Sequence, residues 1–470
     1  MYYYFQKCLF HSERKLKIMH EECGVFALYG DGKIENPAEY AYLAMFAMQH
    51  RGQQSSGIAV SNDGVIDCIK GMGLASEVFD DEKLSKLGGQ NVMAHVNYSA
   101  KDANVLSAQP IVMRYGKGRL CVANNGSLVN AKELRNLLAQ NGAMVRSNSD
   151  AELIAQIIAK ERMFSHSIEE AVRITCENIK GAYSMVVMSP NKIVAVRDPH
   201  GFRPLALGKT AEGCYVVVSE TCALNAIGAD FVRDIEPGEI LVIDGNGANT
   251  YYKHGGCKKS ICIFEYIYFA RPDSVMDGVS IHAARDRAGR LLARQHPVEA
   301  DIVIGVPDSG LDAAIGYSRE SGIEFGMGFV RNNYIGRTFI KPTQEQRASS
   351  VSIKLNVLAE NIKGKRVVMV DDSIVRGTTC ADIIRLLKNA GAKEVHVRIS
   401  SPTIHYTCPY GTDIPTREEL TSNKHSVQEL CELIGADSLG FLSKDSLGEI
   451  IGVCDKCYCD ACFTGDYPVE

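Results

Sequence analysis

Three groups of residues in this chain carry types and spacings that can do chemistry. The first is Val367-Val368-Met369-Val370-Asp371-Asp372-Ser373-Ile374-Val375-Arg376-Gly377-Thr378-Thr379. Its four apolar residues read as a buried parallel strand. Two adjacent carboxylates and a turn of hydroxyls and glycine follow, then a helical pattern over Ala381–Asn389 with Gly391 as its stop. Such a strand–loop–helix aims backbone N–H groups and a helix N-terminus at an anion. Paired acids at the carboxyl end of a strand can hold sugar hydroxyls or a hard cation such as Mg²⁺. One loop could thus grip the phosphate and the sugar of a ribose phosphate. The second group is Cys454-Asp455-Lys456-Cys457-Tyr458-Cys459-Asp460-Ala461-Cys462, two close C-x-x-C pairs. A Cys₄ zinc site, a redox dithiol and an iron–sulfur site all fit that spacing. The third is Cys23, a single thiol at the start of the apolar run Gly24–Tyr29.

The elements that must position these groups fall into two grammars. A chain of 470 residues exceeds one core, so two domains are expected. From Cys23 to about Gly245, short strands and helices come in blocks, which predicts layered α+β. Strands are expected at Gly24–Tyr29, Val92–Asn97, Leu120–Ala123, Tyr183–Met188, Lys192–Val196 and Cys214–Val218. Helices are expected at Ala38–Met48, Ala131–Asn141, Ala151–Glu161 and Ile168–Ile179. The turn-rich Asp244–Asn249 marks the boundary, giving domains 23–250 and 251–470.

The second half alternates β and α: a strand at Asp301–Val306, the turn Pro307–Gly310, a helix at Leu311–Glu320, and strands at Glu324–Val330 and Glu394–Ile399. That is a doubly wound parallel sheet, whose ligands bind at the strands' carboxyl ends, where both Asp308-Ser309 and Asp371-Asp372 fall. The polar Arg331–Ser350 lacks apolar periodicity and reads as a lid.

Composition removes several classes. A net charge of −5 gives no reason to expect nucleic-acid binding, and no apolar run is long enough to span a bilayer. The segment 1–22 is mixed and partly basic and lacks the uninterrupted apolar stretch of a secretory signal. Sixteen cysteines in a long chain without an export signal read as reduced thiols of a cytoplasmic protein, several of them metal ligands.

The Asp371-Asp372 string resembles the phosphoribosylpyrophosphate (PRPP) loop of type I phosphoribosyltransferases. The set Cys23-Gly24-Val25-Phe26, Gln49-His50-Arg51-Gly52-Gln53 and Asn125-Gly126-Ser127-Leu128 resembles the N-terminal-nucleophile glutaminases. Together, with Arg197-Asp198-Pro199-His200-Gly201-Phe202-Arg203, Phe264-Glu265-Tyr266-Ile267-Tyr268-Phe269 and Tyr334-Ile335-Gly336-Arg337, the chain resembles the glutamine PRPP amidotransferases over nearly all its length after Glu22.

That resemblance implies a four-layer αββα glutaminase domain ahead of a phosphoribosyltransferase domain. It implies a leader, residues 1–22, whose removal makes Cys23 the first residue, its α-amino group the base for its own thiol. Met19 is an alternative start. Asn125 and Gly126 would form the oxyanion hole, and Asp150 would hold the α-ammonium of glutamine. Asp371 and Asp372 would bind ribose hydroxyls and, with Ser309, Mg²⁺; Ser373, Arg376, Gly377, Thr378 and Thr379 would cradle the 5′-phosphate. Arg331, Tyr334, Arg337 and Lys341 would sit on the lid, and Lys354 would contact phosphate. Cys262, Cys408, Cys459 and Cys462 would ligate one [4Fe–4S] cluster of structural role, far from the sugar, with Cys454 and Cys457 as extra thiols. A homotetramer inhibited by purine nucleotides is implied as well.

Two positions of the glutaminase half depart from the family, besides Arg331 where the family usually has Lys. His95-Val96-Asn97-Tyr98 carries Asn where an Arg clamps the carboxylate of glutamine, and Asn124 replaces a His. An amide cannot replace a charged bidentate fork. Either another cation such as Arg51 takes over or glutamine binds poorly. Two alternatives are therefore an ammonia-dependent variant with impaired glutaminase and a non-catalytic PRPP- or nucleotide-sensing regulator.

Overall fold

The computed structural model describes residues 23–98, 104–332, 355–452 and 457–469. The expected leader, Tyr334, Arg337, Lys341, Lys354 and Cys454 lie outside the described residues. The first half holds two antiparallel sheets packed face to face. One has seven strands in the order Asp230–Asp234, Ala206–Lys209, Tyr215–Val218, Gly24–Tyr29, Asn91–Asn97, Ser55–Asn62 and Val65–Met72. The other has six, in the order Gly247–Lys253, Glu239–Asp244, Lys192–Arg197, Ser184–Ser189, Gly118–Asn125 and Ile111–Tyr115.

Alternation explains the layers. In Gly24–Tyr29, Val25 and Ala27 face the other sheet and meet Cys121, Ala123, Val186 and Ala195. Phe26 and Leu28 face outward and are covered by the helix Pro37–Ala47 through Ala41, Ala44 and Met45. The helices Asp150–Phe164 and Ile168–Asn178 cover the far side of the second sheet in the same way, with Leu153, Ile154 and Ile158 on Val122, Val187 and Val194. Both faces of the inner strands are therefore apolar, and strands such as Gly24–Tyr29 and Ser184–Ser189 are buried along nearly their whole length.

The second half is built on a parallel sheet in the order Ile302–Gly305, Arg366–Asp371, Glu394–Ile399 and Ser438–Phe441. The helices Ile281–Gln295 and Gly310–Ser321 pack on one face, and Thr378–Asn389 and Val427–Ile434 on the other.

Two expectations need correction. Asp244–Asn249 is no boundary: Asp244 pairs with Gly247 in a hairpin turn, and the strand it opens runs to Lys253, past the expected division at 250. The expected strand Glu324–Val330 shrinks to Phe329–Arg331, paired with Leu355–Val357. The cause is Gly326 and Gly328: a Cβ at either would lie 2.5–2.6 Å from the side chains of Ile302 and Ile304. These glycines let the chain lie against the edge strand but weaken a ladder of its own.

Candidate functional site

The thiol of Cys23 stands where the first sheet ends. It lies 3.3 Å from Oδ1 of Asn97, the last residue of the adjacent strand, and 3.5 Å from the carbonyl oxygen of Tyr98 just beyond it. The segment from Gln49 to Gln54 wraps this corner. The Gln54 N–H donates to Asn97 O at 3.1 Å. A Cβ on Gly52 would come within 2.6–2.7 Å of the backbone of Val96 and Asn97, which is why only glycine follows Arg51 there.

The two sheets are joined beside the thiol. His95 Nε2 meets Asn124 O at 3.1 Å, and Gln109 brackets Asn124 by accepting from its N–H at 2.7 Å. Burial pushes the His95 imidazole down to about 3, so this link is neutral. Next along that strand is Asn125, only 1% exposed. Neither its Nδ2 nor its Oδ1 has a hydrogen-bond partner among the described residues. A buried amide left so costs free energy unless a ligand uses it. Gly126 follows at φ +122°, and a Cβ there would lie 2.4 Å from Ala182 O. Asp150, at the start of its helix, accepts from the Leu128 N–H at 2.9 Å and so fixes the same turn.

Arg51 does not take the place expected for it. Its side chain is fully buried, between Glu220 and Glu265. Its Nη1 donates to Glu220 Oε1 (2.5 Å) and Glu265 Oε2 (2.9 Å), and its Nη2 to Glu265 Oε1 (2.7 Å). Its Nε–H donates to the main-chain oxygen of Cys23 at 3.0 Å. A guanidinium engaged this way by two carboxylates is not available to clamp a third.

In the second half the acids are brought together as expected. The Ser309 and Ser373 hydroxyls each donate to Asp372 at 2.5 Å, one to Oδ2 and one to Oδ1. The Asp372 N–H donates to Asp371 Oδ1 at 2.9 Å. Burial raises both carboxyls above the usual carboxylate range, Asp371 strongly so with the charge of Asp372 adding to it. Gly377 has φ +77°, and the helix starts at Thr378, three residues earlier than expected. Thr378 and Thr379 are both exposed in its first turn, where N–H groups lack partners within the helix. The Arg376 guanidinium is mostly buried, with Nη2 3.2 Å from Glu419 Oε2, and neither Nη makes a hydrogen bond among the described residues. Arg331 pairs with Asp308.

Cys262, Cys408, Cys459 and Cys462 line one cavity with Phe202, Phe264 and Tyr410. Burial pushes Cys459 up to about 12 and Cys462 well above the ordinary thiol value. Among the described residues no three Cys, His, Asp or Glu side chains gather as tightly as one metal ion needs. Cys457 is half-buried beside this group, and its carbonyl accepts from Ile261.

Sequence reasoning missed Glu220 and gave Glu265 no role. Glu265 lies in the string Phe264–Phe269; nothing local marks Glu220, whose partner Arg51 lies 169 residues away.

Comparison with known proteins agrees with these two halves. A glutamine amidotransferase domain family matches residues 95–226, and a phosphoribosyl transferase domain family matches 280–401. The chain is 48% identical to amidophosphoribosyltransferase 1, chloroplastic, of Arabidopsis thaliana, covering 98% of this chain and 81% of that one. It is 45% identical to the amidophosphoribosyltransferase of Archaeoglobus fulgidus, covering 95% and 98%. Among solved structures, glutamine PRPP amidotransferase from B. subtilis complexed with ADP and GMP matches with a TM-score of 0.89 at 42% identity, covering 95% and 98%. A structure described as the allosteric regulatory enzyme of purine biosynthesis matches with a TM-score of 0.90 at 42% identity, covering 95% and 96%.

Proposed function

The chain belongs to the amidophosphoribosyltransferase family, and from that premise we propose how its residues divide the work. The enzyme is a transferase of purine biosynthesis. It uses the amide nitrogen of glutamine to displace pyrophosphate from PRPP, yielding 5-phosphoribosylamine and glutamate. The observation that carries the division is the unpartnered Asn125 amide at the Cys23 corner, set against the Asp371–Asp372 pair in the other half.

In this reading the Cys23 thiol gives its proton to its own α-amino group and attacks the glutamine amide carbon; the C–N bond breaks to release ammonia, and water then hydrolyses the thioester to glutamate. Asn125 Nδ2 and the Gly126 N–H donate to the oxygen that becomes charged. Asp150 faces the substrate ammonium. Asp371 and Asp372 hold the ribose hydroxyls, and the Thr378–Thr379 turn the 5′-phosphate. The lid, with Arg331, Tyr334, Arg337 and Lys341, would exclude water from the sugar cation as ammonia attacks, and Lys354 would contact phosphate.

Asp371, Asp372 and Ser309 suit Mg²⁺, a hard cation for oxygen donors, since burial leaves the two acids short of compensating charge. Bound there, Mg²⁺ would offset charge on the leaving pyrophosphate. Cys262, Cys408, Cys459 and Cys462 suit a [4Fe–4S] cluster. Thiols that burial keeps protonated need a cationic core to ionise them. Their spread around one cavity suits four irons better than a single zinc, which draws all its sulfurs to about 2.3 Å.

No described helix is long and apolar enough to cross a membrane. The reading also includes a cytoplasmic, homotetrameric enzyme inhibited by purine nucleotides; the B. subtilis neighbour carries ADP and GMP.

The test is pyrophosphate release from PRPP with glutamine, with ammonium salt and with neither. Release with both donors and not without is expected. A protein that binds PRPP and releases no pyrophosphate with either donor would overturn the assignment.

A further inference from the structure

We propose that the glutamine site is held in working geometry by the phosphoribosyl half of the chain, with Arg51 and Glu265 as positioning residues for Cys23. Two contacts carry this. Arg51 donates from Nε to the Cys23 carbonyl, while both oxygens of Glu265 clasp its guanidinium, at 2.7 and 2.9 Å. Glu220 holds the same guanidinium from the glutaminase side, and Arg51, Glu220 and Glu265 side chains are all fully buried. The main chain of the nucleophile is thus pinned by a fork whose orientation is set by a residue 214 positions away. The second contact lies across the pocket. The loop Tyr410–Asp413 rests on the glutaminase half: a Cβ on Gly411 would sit 3.4 Å from Gly126 Cα. Tyr98, which follows Asn97, donates its hydroxyl to Asp413 Oδ2 at 3.4 Å. Arg203 Nη2 donates to Tyr410 O (2.9 Å) and Thr412 Oγ1 (3.2 Å), and Arg203 Nη1 stands 3.8 Å from Glu265 Oε1. One charged group, Arg203, therefore spans both contacts.

The chemical reason is orientation. A thiol that must meet an amide carbon within bonding approach, with donors already placed for the oxygen, loses rate steeply for small displacements. Lysine cannot replace Arg51, because an ammonium cannot straddle two carboxylates and reach a carbonyl at once. Glu265 follows Cys262 by three residues, and Gly411 follows Cys408 by three, so both supports spring from the wall of the cysteine cavity. Arg203, Tyr410 and Thr412 of the second contact line the same cavity.

This rests on the proposed assignment of Cys23 as nucleophile. The experiment uses full-length Glu265→Gln, which keeps shape and removes charge, with Arg51→Lys as the second variant. Glutamine- and ammonium-dependent synthesis are measured side by side, with the mass of the amino-terminal peptide read in each protein. The expected result is a fall in glutamine kcat of at least ~10-fold with KM within about twofold and ammonium-dependent turnover within about twofold of the parent. Arg51→Lys should give the same split. Equal loss with both donors, no loss with either, or an amino-terminal residue that differs from the parent's would overturn the proposal. A parent protein that makes product from ammonium but not from glutamine fails the underlying assignment instead, so the two failures are distinct.

Discussion

The two reactive corners of this molecule are built on opposite plans. The acid pair sits at the end of one parallel strand, and its neighbours Ser309 and Ser373 come from the next strand's turn and from the same loop. The thiol corner is assembled from pieces far apart in sequence: Cys23, Arg51, Asn97, Asn125, Glu220 and Glu265. The first buries two carboxyls whose ionised form a cation would favour. The second keeps the charges around Cys23 behind the thiol, in the buried Glu220–Arg51–Glu265 cluster. Burial raises Glu220, yet His50 and Arg51 outweigh it and hold the carboxyl well below its usual range. A sheet end organises a polyanion site locally, whereas a nucleophile needs long-range bracing.

The largest effects should separate the corners by nitrogen donor. Cys23→Ala should remove glutamine-dependent synthesis by ~10⁴-fold or more while ammonium-dependent synthesis persists. Parallel rates measured with both donors would show this, and loss of both would break the contrast. Asp372→Asn should lower turnover with either donor by about 10²–10³-fold, because it disturbs the shared sugar site. Retained turnover would mean that the acids are not where charge develops. Asn125→Ala should cost glutamine kcat about 10²-fold and leave ammonium use alone. A rise in glutamine KM in its place would make Asn125 a binding residue.

The asymmetry also decides what could be read from sequence. Val367–Thr379 holds strand, acids and loop in thirteen consecutive residues, and the structure places them as one unit. Six of the thirteen described strands of the first half were legible, as apolar runs buried on both faces; the other seven, among them Ser55–Asn62 and Val65–Met72 with serines and charges interspersed, were not. Arg51 was read as a spare cation because the two carboxylates that bind it are 169 and 214 residues away. Periodicity and motif spacing carry no signal for such partners. The hairpin at Asp244–Gly247 misled for the converse reason: turn residues look alike whether they join strands or domains.

A smaller effect follows from the raised carboxyls of Asp371 and Asp372. In the ligand-free protein the folded pair holds its proton more tightly than the unfolded chain does. Its contribution to stability is therefore present at low pH and is given up as pH rises through the raised folded range. Binding runs the other way, since a cation and PRPP need the ionised pair. PRPP affinity should fall as pH falls through that range, by up to about tenfold per pH unit. Calorimetric titrations of Mg²⁺–PRPP and thermal unfolding of the free protein over the same pH series should show opposite slopes. Equal slopes would mean that the pair does not titrate as buried acids do.

The smallest expected change is a gain. Asn97 Oδ1 lies 3.3 Å from the Cys23 thiol, at the position where the resemblance implies an arginine for the substrate carboxylate. Arg51 cannot substitute, because Glu220 and Glu265 already hold it. The carboxylate of glutamine is therefore expected to be held by neutral groups, which contribute less than a charged fork does. A hydrogen bond to a charged group is worth about 1.5–3 kcal/mol, so Asn97→Arg should lower the glutamine KM by roughly 10-fold or more. The ammonium KM should not move. Asn97 is 5% exposed, and its neighbour Gly52 packs against its backbone, so the longer side chain has to leave through the pocket mouth. If Asn97→Arg raises the glutamine KM, the cation is being refused by the corner itself. The amide would then belong to the thiol's own hydrogen-bonding geometry and not to the substrate's.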